Sequence, residues 1–207
     1  MVVVTGADRG LGRSPAIEFA RRGARVVVND LGGAVDGTGN GKTAQKAVDE
    51  IRQLGGEACV NTDSVTTQEG ATAIIGAAME NYGRADILVN NAGILRDKAF
   101  ANISTENFRE VLDVHLLGSV LVTKAASPII RDNNCGRVVF TSSGSGMFGH
   151  FGQSDFASAK MELFGLMNVL ALEGASKGIK VNTLAPGALT RMTERLQMLI
   201  VEVVPSR

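Results

Sequence analysis

Three glycines near the start of the chain, Gly6, Gly10 and Gly12, lie in the run Val2-Val3-Val4-Thr5-Gly6-Ala7-Asp8-Arg9-Gly10-Leu11-Gly12. Glycine accepts positive φ angles and lets the main chain come close to a phosphate, and a helix starting just behind such a turn aims free N–H groups at the anion. Asp8, Arg9 and Leu11 belong to the same turn and are counted with it as cofactor-binding candidates. A second candidate is Asp30, eighteen residues past Gly12 and directly after the β-branched run Arg25–Asn29. An acidic residue there is placed to accept hydrogen bonds from an adenosine ribose. It would repel a 2′-phosphate, so NAD is the expected coenzyme and NADP the less favoured one; Arg9 is the residue that argues the other way.

A phosphate turn works only between a strand and a helix, and the whole chain alternates in that manner. Strands are predicted at Val2–Thr5, Arg25–Asn29, Ala58–Asn61, Asp86–Asn90, Gly136–Thr141 and Lys180–Leu184, with helices near Gly12–Arg22, Lys42–Leu54, Thr67–Asn81, Thr105–Arg131 and Asp155–Lys177. The helical stretches carry apolar residues at three- and four-residue spacing. Short buried-type strands separated by helices give βαβ units, and right-handed crossovers stack these into a doubly wound parallel sheet. The expected fold is therefore α/β, a single Rossmann-type domain over residues 1–207. The Gly-rich segment Leu31–Gly41 reads as a mobile surface loop.

Composition narrows the function classes. The 207 residues carry 21 basic and 21 acidic side chains, so no net field recruits nucleic acid or an anionic membrane. No uninterrupted apolar run reaches the roughly 18 residues of a spanning helix, and the first residues lack the layout of a signal peptide. No membrane partner is expected, and the cytoplasm is the default compartment. Cys59 and Cys135 are too few and too far apart for a disulfide framework or a zinc site, so no metal is expected.

Several separated motifs together resemble the short-chain dehydrogenase/reductase family. They are the turn Thr5–Gly12, the run Asn90-Asn91-Ala92-Gly93, and Ser142-Ser143 followed by Phe156-Ala157-Ser158-Ala159-Lys160. Within that family, Val28–Gly33, Asn91–Asp97, Asp113–Leu116 and Arg191–Glu194 look like the 3-hydroxyacyl-CoA dehydrogenase part of peroxisomal multifunctional β-oxidation enzymes and their bacterial relatives. The resemblance implies that Gly6, Gly10 and Gly12 line a pyrophosphate and that Asp30 meets the ribose. It places Asp63 and Ser64 beside adenine, Asn91, Ala92 and Gly93 beside the nicotinamide ribose, and Pro186 and Gly187 around the nicotinamide pocket. All of these follow strand carboxyl ends, where open α/β sheets bind ligands. It also implies an acyl-CoA-like or secondary-alcohol substrate, a homodimer or homotetramer packed through the last two long helices, and the peroxisomal matrix as the alternative compartment.

The family's acid–base chemistry uses a Tyr, a Lys one helical turn later and a Ser that steadies the substrate oxygen. By resemblance Ser143 and Lys160 fill two of these positions, and Lys160 also holds the nicotinamide ribose. The tyrosine position is Phe156, which has no hydroxyl to exchange a proton, so impaired catalysis is expected, by the ~10²–10⁴-fold that a positioned acid–base group contributes. The single tyrosine, Tyr82, precedes the fourth strand and is expected at the opposite edge of the sheet. His115 matches a position usually held by Asn; a structural helix histidine and a proton relay both remain open for it. Two readings follow, an impaired dehydrogenase and a catalytically silent dinucleotide-binding subunit. A second departure is length: the resemblance leads one to expect a further strand and helices, so the domain reads as truncated after its substrate-loop region, 188–207.

Overall fold

The computed structural model describes residues 1–39, 41 and 43–187. The substrate-loop region 188–207, and with it the expectation of a truncated end, lies outside the described residues.

Six strands form one sheet in the order β3-β2-β1-β4-β5-β6, and every neighbouring pair is parallel. They are β1 (Val2–Thr5), β2 (Val26–Asn29), β3 (Ala58–Asn61), β4 (Ile87–Asn90), β5 (Gly136–Thr141) and β6 (Ile179–Leu184). This is the doubly wound, Rossmann-like α/β architecture that the sequence predicts. The chain winds outward from β1 to β3, then returns to lay β4 on the other side of β1, which puts the switch in winding direction between β1 and β4.

Both faces of the sheet are covered, which is why its central strands are apolar without alternation. Val2, Val4, Val26 and Val28 pack with Ala16, Ala20, Val48 and Ile51 beneath α1 (Gly10–Arg21) and α2 (Thr43–Gln53). Val3, Val27, Leu88 and Phe140 pack with Ile74, Val122, Ala126 and Leu163 on the opposite face. The helices there are α3 (Gln68–Tyr82), α4 (Thr105–Leu112), α5 (Gly118–Asp132) and α7 (Ser154–Gly174); the short α6 (Gly144–Phe148) follows β5. Local sequence sets several helix ends: Thr67 and Ser104 accept hydrogen bonds from the N–H groups of Gly70 and Asn107, and Gly83 ends α3 at φ +69°, a left-handed stop that glycine supplies without strain.

The structure departs from the predicted elements in three places. The helix expected over Thr105–Arg131 is one rod interrupted by a π-helical turn at Asp113–Leu117. By length and composition Thr105–Asp132 could cross a bilayer, yet Val111, Val122, Ala126 and Ile130 are buried in the protein. The five-residue α6, made of Gly-Ser-Gly-Met-Phe, has no periodicity to predict it. Finally, the Gly-rich surface loop after β2 carries backbone bonds that its composition did not suggest: Ala34 N–H bonds Thr38 O, Gly41 N–H bonds Leu31 O, and Leu95 N–H bonds Val35 O at 2.9 Å. Short backbone bonds of this kind are invisible to a composition argument.

Candidate active site

A cavity of about 900 Å³ runs along the carboxyl edge of the sheet, at the upper end of the usual range for small-molecule sites. It crosses the switch point between β1 and β4, where doubly wound sheets take their ligands. Every candidate catalytic or cofactor-binding residue named from the sequence lines it, except Gly187. Pro186 reaches the wall, whereas Gly187, the next residue out from the sheet, is exposed.

The glycine turn is built as a cradle. Gly6 has φ +64°, and a Cβ there would sit 2.7 Å from Ala92 Cα; at Gly12 a Cβ would sit 2.0 Å from Gly6 O. The turn is locked to the loop after β4: the Asn91 side-chain amide donates to Thr5 O and Gly6 O, and the N–H groups of Asn91 and Ala92 donate to Thr5 Oγ1. No side chain caps the N-terminus of α1, so its first N–H groups remain free for an anion.

Two carboxylates stand together at the end of β2. Asp30 accepts from Gly32 N at 2.7 Å and from Asp8 N at 3.3 Å. Burial first, and then the charge of Asp8, push the Asp30 carboxyl up to about 6. Asp8 moves the other way: burial would raise it, but hydrogen bonds from Thr43 Oγ1 at 2.5 Å and Arg9 Nε at 2.7 Å outweigh that and hold it low. Arg9 is thus already paired. Past β3, Asp63 is held by Asn61 and Asn29, and Ser64 lies next to it in the cavity wall.

At the other end of the cavity, β5 delivers Ser143, whose Oγ accepts from Ser145 N at 3.2 Å and begins α6. Phe156 and Lys160 lie one turn apart on α7. Lys160 is 4% exposed; its Nζ donates to Thr141 O at 2.5 Å, and burial pulls its ammonium down to about 7. The π turn directs His115 inward, where it is 1% exposed. Its Nε2 lies 2.8 Å from Ile94 O, while Nδ1 has no partner among the described residues. Burial, followed by the Lys160 charge, holds its protonation well below the usual range. Gly93 is required beside it, because a Cβ there would lie 2.2 Å from His115 Cε1. Tyr82 lies at the far edge, its ring under the Arg25 guanidinium.

Sequence reasoning missed three participants. Thr43, at the start of α2, bridges to Asp8. Ser145 Oγ donates to Gln153 Oε1 at 2.9 Å, and the Gln153 amide donates to Asp97. Gln153, three residues before Phe156, is 1% exposed; among the neighbouring polar residues His150, Ser154 and Asp155 nothing in the sequence marked it out.

The residues fit a dinucleotide on structural grounds: a backbone cradle that side chains would fill, an uncapped helix end, and an orphaned buried imidazole nitrogen at the opposite end. A parallel doubly wound sheet with this cavity across its switch point defines a nucleotide-binding α/β domain. The profile of the short chain dehydrogenase family matches residues 1–198. The chain belongs to that family. It is 53% identical over 195 residues to a putative short-chain type dehydrogenase/reductase of Mycobacterium tuberculosis, covering 94% of this chain and 68% of that protein. To a peroxisomal hydratase-dehydrogenase-epimerase of Saccharomyces cerevisiae it is 49% identical over 197 residues, 95% of this chain but only 22% of that larger protein. A crystal structure of a short chain dehydrogenase from Mycobacterium avium superimposes with a TM-score of 0.85 at 44% identity, covering 93% of this chain and 69% of that one.

Proposed function

We propose that the chain is an NAD-dependent dehydrogenase of 3-hydroxyacyl thioesters or a closely related secondary alcohol, slowed by Phe156. The observation that carries this reading is the single cavity wall shared by the glycine cradle, the Asp8–Asp30 pair, Ser143 and Lys160. The α1 N-terminus and Gly6, Gly10 and Gly12 would hold the pyrophosphate. Asp30 would take the adenosine ribose, Asp63 and Ser64 would flank adenine, and Asn91, Ala92, Gly93, Lys160 and Pro186 would meet the nicotinamide half. NAD is favoured over NADP because Arg9, the cation of that cluster, is already bound to Asp8. The multifunctional relative's name includes a dehydrogenase; the thioester is what the resemblance of Val28–Gly33, Asn91–Asp97 and Asp113–Leu116 implies.

When bound, the coenzyme supplies a hydride acceptor. This chain's residues do the rest. Ser143 keeps its hydroxyl hydrogen for the substrate oxygen, since among the described residues its Oγ only accepts, from Ser145 N. Phe156 and the buried His115 ring meet edge to face at 5.1 Å and form the aromatic part of that wall. Phe156 itself moves no proton. Met161, Val169 and Leu172 are exposed along α7, which supports a homodimer or homotetramer through this helix.

Two measurements test the reading. Reduced NAD should give saturable binding, and turnover of a 3-hydroxyacyl-CoA should rise about 10²–10⁴-fold in Phe156→Tyr. Binding with no turnover in either the wild type or Phe156→Tyr would replace the dehydrogenase by a silent dinucleotide-binding subunit, and no binding at all would refute both.

A further inference from the structure

Phe156 is flanked by two nitrogen bases. The His115 ring lies 5.1 Å from its centroid, and Lys160 Nζ lies 5.5 Å from it. His115 is poorly placed for proton exchange with a substrate. Its Nε2 is committed to the Ile94 backbone, its ring abuts Gly93, and burial holds it neutral.

Lys160 is different. From β5 it meets only a carbonyl, Thr141 O; from the π turn it faces neutral His115; from the turn after β5 it is packed by Ser142, whose hydroxyl is spent on Lys160 O at 2.7 Å. Among the described residues no carboxylate is ion-paired or hydrogen-bonded to it. A buried ammonium with one neutral hydrogen-bond partner is costly, and losing its proton is the inexpensive way out. The resulting amine has two N–H donors and one lone pair. Thr141 O takes a donor, and the lone pair remains for the cavity that Lys160 lines. An oxidised nicotinamide, a cation, would favour the neutral amine further.

We propose that Lys160 is itself the acid–base group of this chain's reaction, in place of the hydroxyl that the 156 ring lacks. This rests on the dehydrogenase reading above. In the oxidative direction the alcohol O–H and C–H bonds break and the carbonyl bond forms. The hydride carries two electrons to the oxidised nicotinamide coenzyme, and the proton ends on Nζ as an ammonium. Reduction runs the same steps backwards. One water, in the space a phenolic oxygen would occupy, connects the substrate oxygen to Nζ; the unpartnered Nδ1 of His115 offers that wall a further polar contact.

The test needs a readout on ligand-free protein and one on turnover. Trace acetylation with acetic anhydride, followed peptide by peptide in a mass spectrometer across pH, should show Lys160 reacting with a midpoint near 7, about three pH units below ordinary lysines. In the wild type, kcat/KM for alcohol oxidation should climb about tenfold per pH unit up to that midpoint and then level off. Lys160→Arg, permanently charged, and Lys160→Met, uncharged and similar in size, should each lose at least about 100-fold and the pH step with it. A wild-type circular-dichroism spectrum and melting transition certify folding in either variant, and kcat is compared at saturating coenzyme because Lys160 also meets the nicotinamide half. A Lys160 acetylation midpoint near 10, or an unchanged pH profile in Lys160→Arg, overturns the proposal. Coenzyme binding without wild-type turnover at any pH overturns it too, while leaving the cofactor reading intact. Failure of the wild type to bind coenzyme refutes the dehydrogenase reading and this assignment together.

Discussion

Coenzyme choice is the property the structure makes most quantitative. A 2′-phosphate at the ribose end of the cavity would meet Asp30 and, behind it, Asp8, with the Arg9 guanidinium already bonded to Asp8 at 2.7 Å. Two unit charges about 4 Å apart repel by roughly 4 kcal/mol at an effective dielectric constant of about 20. The nearby Arg9 charge and solvent screening halve that to about 2 kcal/mol, which is about 30-fold in affinity. Reduced NAD should therefore bind at least about 30-fold tighter than reduced NADP at pH 8, and Asp30→Ser should erase most of that margin. The wild type carries its own control: because Asp30 titrates at about 6, the margin should shrink as pH falls from about 8 to 5. Emission of the reduced nicotinamide during titration reads all three cases, and the chain contains no tryptophan to complicate the signal. The reasoning fails if Asp30→Ser discriminates as the wild type does, or if the wild-type margin ignores pH.

Other perturbations test the surroundings of the site. Gly93→Ala places a methyl against His115 Cε1 and should cost about 1–3 kcal/mol, visible as a melting temperature lower by roughly 3–10 °C; an unshifted melt would show that the imidazole can yield. Asp155 is 1% exposed, its Oδ2 has no partner among the described residues, and burial raises its carboxyl above the ordinary value. The folded protein therefore holds that proton more tightly than the unfolded chain, and stability falls as pH rises through the interval between the two values. Asp155→Asn removes the buried charge and should raise the melting temperature by a few degrees at pH 8 and by nothing near pH 3. A gain that is equal at both pH values would refute the assignment of the cost to charge. Gly12→Ala drives a Cβ into Gly6 O, so binding of reduced coenzyme should disappear from any protein that still folds, as an equilibrium titration would show.

The sheet was legible because burial on both faces writes itself into the strands: Val2 to Val4 and Val26 to Val28 can be nothing but central strands. The candidate site residues could be picked out because β1 to β5 end where the sequence turns from apolar to Gly, Asn, Asp or Ser, whereas β6 runs on into Ala185 and Pro186. What stayed hidden depends on one hydrogen bond more or less. A π turn at Asp113–Leu117 differs from a regular helix by a single residue per turn and leaves no composition mark. The partners Thr43–Asp8 and Ser145–Gln153 bring together residues 35 and 8 positions apart. Spacing within one element says nothing of contacts between elements, so neither could be anticipated.

That π turn also sets a phase relation. Upstream of it α4 leans on α7, downstream of it α5 leans on α3, so one rod serves two neighbours on different azimuths. Since each helical residue advances the rod by about 100°, trimming a single residue from 113–117 would swing every downstream side chain around the axis by that angle. The imidazole would leave its niche and the sheet-facing stripe of α5 would turn towards solvent. Length variation at this point should therefore be far less tolerable than a comparable change at the exposed carboxyl end of the same rod, near Asn133 and Asn134.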